Sequence, residues 1–336
     1  MNPLILPLLL LLPQAATAQD EPPGEQDEPF ACFVPVDPVI TLGHPSRYTA
    51  DSKSRSDFDD KAEAEVNRAL KPIDDFITDL ATTSDLALSD DGDAAAAADC
   101  VLDRLHAWAE ADALSDLTTQ SAQLSTPSRL AGLAFAHAKV ADHRPDDPRN
   151  AEITGWLQSR MKASMAFFDG EAPPRASKNN LRAWAGLAAA RIGLSAGDDA
   201  MVTWAEDTVR LVACQAEPSG ALPLEMWRGR LALHYQIHAM GPLAVTAALL
   251  PDADLFDACD RAIPRIAGFI ARAIDDPAIV EDITGEKQKY GPPEPHEFAW
   301  TAAYLSQVDD PEIEALARRF DSQGNSKLGG DQSLLW

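Results

Sequence analysis

Three observations predict an all-α protein. Apolar residues recur at helical spacing in ten segments, alternating strand-like runs are nearly absent, and polar or Pro/Gly-bearing breakers separate the segments. In chain order the segments are Phe58 to Leu70, Ile73 to Thr82, Cys100 to Leu114, Arg129 to Val140 and Ile153 to Phe168, then Leu181 to Leu194, Val202 to Cys214, Arg230 to Leu250, Ala258 to Ile274 and Phe298 to Leu305. Breakers fall at Asp90-Asp91-Gly92, Pro145 to Pro148, Gly170 to Pro174 and Gly285 to Pro295. Helices joined by short polar loops pack antiparallel to their neighbours, which suits a bundle, a solenoid or an α/α barrel. Trp-Ala recurs at Trp108, Trp184 and Trp204, but the unequal spacings exclude a repeat array.

The 336 residues, 46% of them hydrophobic, are enough to bury a large core. Residues 1–18 are an apolar run closed by Ala16-Thr17-Ala18, a small-residue cleavage signal, so a signal peptide ending near Ala18 and a periplasmic or secreted protein are expected. The run is shorter than the ~20 apolar residues of a membrane span. Residues 19–31, acidic and Pro-rich at the start, read as a disordered leader, and 32–336 as a single domain. Four cysteines lack any C-x-x-C spacing and allow three full pairings. Cys32 with Cys100 is favoured, because a segment without helix signals needs tying to the helical body; Cys214 and Cys259 fit buried thiols. A net charge of −25 excludes a broad basic surface for nucleic acid, so any anionic ligand must meet a local basic cleft.

Chemistry-bearing residues concentrate in two stretches, Ser177 to Trp184 (SKNNLRAW) and Leu224 to Leu250. On one helix Arg228 and Tyr235, seven residues apart, share a face, and a cation beside a phenol eases its ionisation. Paired asparagines with a following Trp, then Gly-x-Leu-Pro, an Arg-rich turn and Tyr235, make the chain resemble the periplasmic alginate lyases of polysaccharide lyase family 5. Asp99 to Leu114, Phe298 to Trp300 and Leu328 to Asp331 extend the likeness, which covers most of Cys32 to Asp331. The resemblance implies an incomplete α/α toroid with an open cleft. It implies a metal-free lyase acting on a mannuronate-rich or related polyuronate, with no cofactor. One position departs from the pattern: Leu181 stands where the family has a catalytic histidine.

Carried over position by position, the resemblance makes Tyr235 the base and acid of a β-elimination and Asn180 and Arg228 the neutralisers of the substrate carboxylate. Asn179, Arg47, Trp184, Arg230, His234 and His238 are the expected substrate-binding residues, with Arg47 in place of a family lysine. His234 or His238 is placed to substitute for the missing imidazole. The segment Thr118 to Arg129 does not reproduce the family's basic residues, which suggests an altered substrate. Each residue also has a plainer role. Tyr235 fits a core tyrosine, Asn180 a helix cap, Arg228 and Arg230 a solvated helix start, and Trp184, Trp227 and Trp300 core indoles. His234 and His238 have i, i+4 spacing, but Tyr235 stands where a metalloprotease would carry its glutamate, so no metal is expected. The expected partner is a polyuronate polysaccharide, with no nucleic acid, no membrane after leader cleavage, and a monomeric state. Two rivals remain: a degenerate polyuronate-binding or scaffold protein, motivated by Leu181, and an inverting glycosidase, for which Glu225 is the only acid the sequence places near the expected cleft.

Overall fold

The computed structural model describes residues 30–88, 93–289, 291, 293–321 and 324–336. The expected signal peptide, nearly all of the leader and the breaker at 90–92 therefore lie outside the described residues.

Twelve α-helices occur among the described residues. They are α1 (Asp60–Leu86), α2 (Ala94–Glu110), α3 (Gln120–Ala141), α4 (Arg149–Gly170), α5 (Asn180–Ala196), α6 (Asp199–Ala213), α7 (Pro223–Met226), α8 (Ala232–Leu249), α9 (Ala258–Asp275), α10 (Ala278–Thr284), α11 (Trp300–Leu305) and α12 (Pro311–Phe320). The strands are two-residue pieces: β1 (Thr41–Leu42) beside β2 (Asp116–Leu117) in parallel, and β3 (Gly324–Asn325) antiparallel to β4 (Gly330–Asp331). Helices touch in two layers. In the inner one α1 meets α3, α3 meets α5, α5 meets α8 and α8 meets α11, while α2, α4, α6, α9 and α12 pack outside them. The result is the α/α toroid. It is incomplete, because the C-terminal segment from β3 onward bridges α1 and α3 on one side and α11 on the other.

Local chemistry explains the layers. Helix α5 is apolar nearly all round and lies buried at the centre, as a helix without a polar face must. Its glycines let neighbours approach: a Cβ on Gly186 would meet Thr208 Cγ2 at 2.8 Å. Helix α1 is two-faced. Val66, Leu70, Ile73, Phe76, Ile77 and Leu80 are buried, and another stripe carries Asp74, Thr78, Thr82 and Asp85. Asp59 caps it by accepting from Ala62 N at 3.0 Å.

Three expectations are corrected here. Pro72 does not divide α1, because a proline interior to a long, well-packed helix forfeits one hydrogen bond without ending it. Pro127 likewise lies inside α3, which starts nine residues before the expected Arg129. The third concerns cysteine. Cys32–Cys100 forms as expected, but Cys214 and Cys259 are also a disulfide, with Cα atoms 5.4 Å apart, rather than thiols. Cys259, Asp260 and Arg261 have positive φ, so the regular turns of α9 begin at Ala262.

Near the N-terminus Trp108 Nε1 donates to Val36 O at 3.1 Å, and Arg104 Nη2 to Phe33 O at 2.8 Å, holding the extended segment against α2. At the other end the Leu328-Gly329-Gly330-Asp331 turn needs its glycines. Gly329 (φ 107°) and Gly330 (φ 90°) adopt a conformation that disfavours side chains, and a Cβ on Gly330 would strike the Asp85 carboxylate at 2.7 Å. No helix among the described residues is long and apolar enough to cross a membrane.

Candidate active site

A cleft of about 820 Å³ opens between α1, the exposed side of α8 and the C-terminal strap. Trp184 and Gly241 lie in its floor with His234, Ile237 and His238 from α8. Asp74, Thr78, Thr82 and Asp85 form one wall, Lys327 and Asp331 another, and Arg47, His296 and Glu297 the rim.

Tyr235 is half-buried on α8 beside this floor, its ring edge-on to His234 (centroids 4.9 Å apart) and to His238 (6.2 Å). Arg228 does not share a continuous helix with it. The chain breaks at Gly229 (φ 54°) between α7 and a 3-10 turn at Gly229–Leu231, because the arginine must fold back across the start of α8. Its guanidinium nevertheless lies over the Tyr235 ring, 3.4 Å from the centroid. Arg228 is buried and well occupied: Nε donates to Ser54 O at 3.0 Å, and Nη2 to Tyr48 Oη at 2.9 Å and to Arg55 O. The Tyr48 hydroxyl is hydrogen-bonded in turn to the hydroxyl of Tyr235. Burial and the neighbouring Tyr235 raise the Tyr48 pKa well above that of an ordinary phenol.

The segment from Ser46 to Phe58 therefore lies across the tyrosine. Arg230 is bound to Asp57 of that segment rather than turned to the cleft, since the carboxylate is the nearest counter-charge. Tyr48 had no sequence signal beyond its place next to Arg47.

Asn179, not Asn180, is the cap. Asn179 Oδ1 accepts from Leu181 N at 3.1 Å, which commits that carboxamide to α5, away from the cleft lining. Asn180 is the first helical residue and is 1% exposed. Its backbone N donates to Glu225 Oε1 and its Nδ2 to Glu225 Oε2, both at 2.8 Å. Glu225 is equally buried, and desolvation pushes its pKa up to about 7 despite those bonds and the nearby Arg228. It is thus no solvated glycosidase acid, nor the only carboxyl group available: Asp74, Asp85, Glu297 and Asp331 all line the cleft.

The two histidines differ. Burial drives His238, 5.2 Å from the Trp184 ring, down to about 3, so it stays neutral near neutral pH. His234 Nδ1 lies 3.3 Å from Glu297 Oε1. Of the indoles, Trp184 lines the cleft, Trp227 lies under Arg175 and Trp300 is core.

Arg47 does line the cleft, and it is joined there by Lys327, which sequence reasoning missed. Lys327 is 3.4 Å from Asp74, whose other oxygen takes Arg129 Nη2 at 2.6 Å. Burial lowers Lys327 to about 8. The signal for Lys327 was its position just before the Leu328 turn, while that for Arg129 was hidden by its burial.

A helical toroid with an open trench, floored by Trp184 and lined by Arg47 and Lys327, and a tyrosine clamped beside arginine define the class of fold and site. Comparison with known proteins makes the class specific. The alginate lyase family model matches residues 128–280. A polysaccharide lyase of Stenotrophomonas maltophilia (strain K279a) is 31% identical over 339 residues, spanning 98% of this chain and 94% of that protein. An alginate lyase of Pseudomonas aeruginosa (strain PAO1) is 27% identical, over 90% of this chain and 84% of that one. Among solved structures, alginate lyase A1-III from Sphingomonas species A1 superposes with a TM-score of 0.75 at 21% identity, covering 92% of this chain and 87% of that one. A variant of A1-III complexed with a tetrasaccharide reaches 0.77, covering 92% and 88%. The chain belongs to the alginate lyase family and is a polysaccharide lyase.

Proposed function

We propose that the protein cleaves a uronate-containing polysaccharide, mannuronate-rich or related, by β-elimination, with Tyr235 as both base and acid. The observation that carries this reading is the clamp on Tyr235: a guanidinium on its ring face and the Tyr48 hydroxyl on its oxygen, beside a cleft of sugar-chain dimensions. The guanidinium over the ring and the Tyr48 hydroxyl at the oxygen hold the Tyr235 oxygen in place for proton transfer. The phenolate takes the proton from C5 of the uronate. Electrons of that C–H bond form the C4–C5 double bond as the C4–O4 bond breaks. The new phenol then returns its proton to O4, so Tyr235 ends as it began. In a mannuronate the proton and the leaving oxygen lie on one side of the ring, which lets a single residue serve both.

Negative charge builds on the C5 carboxylate during proton loss, and preorganised donors there are worth much of the rate. Arg228 supplies positive charge over the Tyr235 ring, and the family resemblance assigns the Asn180 amide to the same task. With leucine at position 181, His234, held by Glu297 against the tyrosine, supplies the imidazole. His238 stays neutral and serves the floor with Trp184. The two disulfides suit an oxidising compartment, which supports the reading of an exported protein.

The test is incubation with polymannuronate, polyguluronate and polyglucuronate while following the ultraviolet absorbance of the unsaturated product. At least one polymer gives a rise, and Tyr235→Phe lowers kcat by at least about a thousandfold with the fold intact. Binding with no rise on any polymer would instead support the non-catalytic reading that Leu181 motivates.

A further inference from the structure

The turn that carries Arg228 is braced at both ends by side-chain amides. Residues 222–233 run from the start of α7 through Arg228 and the Gly229 bend into the first turn of α8. Gln236, next to Tyr235 on α8, is 0% exposed and commits both ends of its carboxamide to the near end of this stretch. Its Oε1 accepts from Leu222 N at 3.0 Å, and its Nε2 donates to Gly220 O at 2.9 Å. At the far end Gln288, half-buried, works the same way: Nε2 donates to Gly229 O and Oε1 accepts from Leu233 N, both at 3.0 Å. A backbone N–H only donates and a backbone carbonyl only accepts, so each amide has a single orientation.

The braced stretch has little to hold it from within. Helix α7 is one turn of four residues, too short to persist on its own hydrogen bonds, and Gly229 (φ 54°) breaks the path beyond it. The side chain of Arg228 bonds to residues of the segment 46–58, and Glu225 ties α7 to α5. Gln236 joins the start of α7 to α8, the helix that carries Tyr235. The loop it grips is docked in turn on α9, where Arg272 Nη2 donates to Ser219 O at 2.9 Å and Gly220 (φ 96°) comes too close to Arg265 O for any side chain. At a site sealed from water a glutamine is stable only with both ends paired, and that pairing fixes the distance from α8 to the Leu222 backbone within about 0.5 Å. From there the chain delivers the Arg228 guanidinium to 3.4 Å from the centre of the Tyr235 ring.

We propose that Gln236 is a positioning residue for the elimination: by fixing where α7 starts against α8, it sets the Arg228 guanidinium over Tyr235 and acts on kcat through Arg228. The inference rests on the lyase reading, since it concerns the arginine and tyrosine of that reaction.

The test is steady-state kinetics of the full-length protein on whichever of polymannuronate, polyguluronate and polyglucuronate the wild type cleaves, with circular dichroism to confirm the fold of each variant. Gln236→Met, similar in size but without the paired amide, lowers kcat about thirtyfold and leaves KM within about twofold. A displacement of about 1 Å near the reacting groups is worth up to about a hundredfold, while Arg47, Trp184 and Lys327 still line the cleft. Arg228→Lys keeps the charge but lacks the planar fork that stacks on the ring. In that background Gln236→Met changes kcat by less than about twofold, because the group it aims is gone. Where Gln236→Met does not fold, Gln288→Met, at the half-buried brace, carries the same comparison with the same expectation. Equal losses of kcat in the two backgrounds show a purely structural role and overturn the inference, as does an unchanged kcat or a loss confined to KM; the wild-type product then still upholds the lyase reading. A wild type that cleaves none of the three polymers overturns both.

Discussion

Two ends of the cleft wall are built on the same plan and finish with opposite charge. At one, Asp74 of α1 pairs with Arg129 of α3; at the other, Asp85 of α1 pairs with Lys139 of α3. Eleven residues of α1 separate the two carboxylates, or about 16 Å along the axis. The strap reaches each pair. Lys327 adds a second cation at Asp74, whereas Asp331 donates its backbone N–H to Asp85 at 3.0 Å and adds a second carboxylate. Arg47 reinforces the cationic end, where its charge is felt by both Arg129 and Lys327. A chain at −25 overall thus gathers a local excess of positive charge where Arg47 leads into Tyr48 and the tyrosine clamp. One end is equipped to recognise an anion and the other to anchor the strap.

The largest effect is therefore expected at the anchoring end. Lys139 is 2% exposed in its side chain, and burial lowers its pKa while raising that of Asp85. Lys139→Met strands the Asp85 carboxylate, at a cost of about 3–5 kcal/mol. Denaturant unfolding checks the value. Combining it with Asp85→Asn should recover most of the loss, because the amide oxygen still accepts from Asp331 and no buried charge is left unpaired. A full loss in the double variant would show that the ion pair itself, and not the stranded charge, holds the strap.

At the recognising end the same removal should not destabilise the fold, since Asp74 keeps Arg129 and burial disfavours the Lys327 charge. Lys327→Met should instead raise KM about tenfold, roughly 1.4 kcal/mol of lost carboxylate binding, and flatten its dependence on salt. The pH dependence follows from burial. Lys327 loses its proton as pH rises through about 8, so KM in the wild type climbs above that point. Lys327→Arg, charged throughout, removes the climb. Folding shows the reverse trend over the same range: the unfolded chain binds more protons between about 8 and the ordinary lysine value of ~10.4, so this residue's contribution to stability rises with pH there.

Much of this was legible in the chain. Helical spacing placed its ten segments on helices, two of them on the single helix α1, because each inner helix must bury a stripe or, like α5, its whole surface; the short α7, α10 and α12 gave no such signal. Prolines misled at Pro72 and Pro127, where tertiary packing outweighs one absent hydrogen bond. Tyr235, Arg228 and Asn180 were singled out through motif, but their spatial relations were not legible there. A seven-residue helical spacing would have set Arg228 and Tyr235 side by side, whereas Gly229 lets the guanidinium fold over the ring face. Tyr48, Lys327 and Glu297 reach the site from segments 187, 92 and 62 residues away from Tyr235, along loops that carry no periodicity. Charge pairing hid the rest, because Arg129 reads as a surface cation until α1 brings Asp74 against it. The net acidity likewise concealed a cationic end made of only a few side chains.

The smallest effect tests the polarity directly. Asp331→Asn keeps the acceptor for Ser333 N, now 2.9 Å from Oδ1, and leaves the backbone bond to Asp85 in place, so the strap should not move. Only the charge goes. A polymer bearing a carboxylate on every sugar, long enough to cover the ~16 Å between the two ends, meets one repulsion fewer. Its KM should fall about twofold, in the range of partly screened charges, and less at high salt. An oligomer too short to reach beyond Lys327 should show no change, because its last carboxylate never approaches Asp331. If short and long substrates respond alike, the two ends do not act as separate subsites, and the charge difference between them serves only to hold the strap.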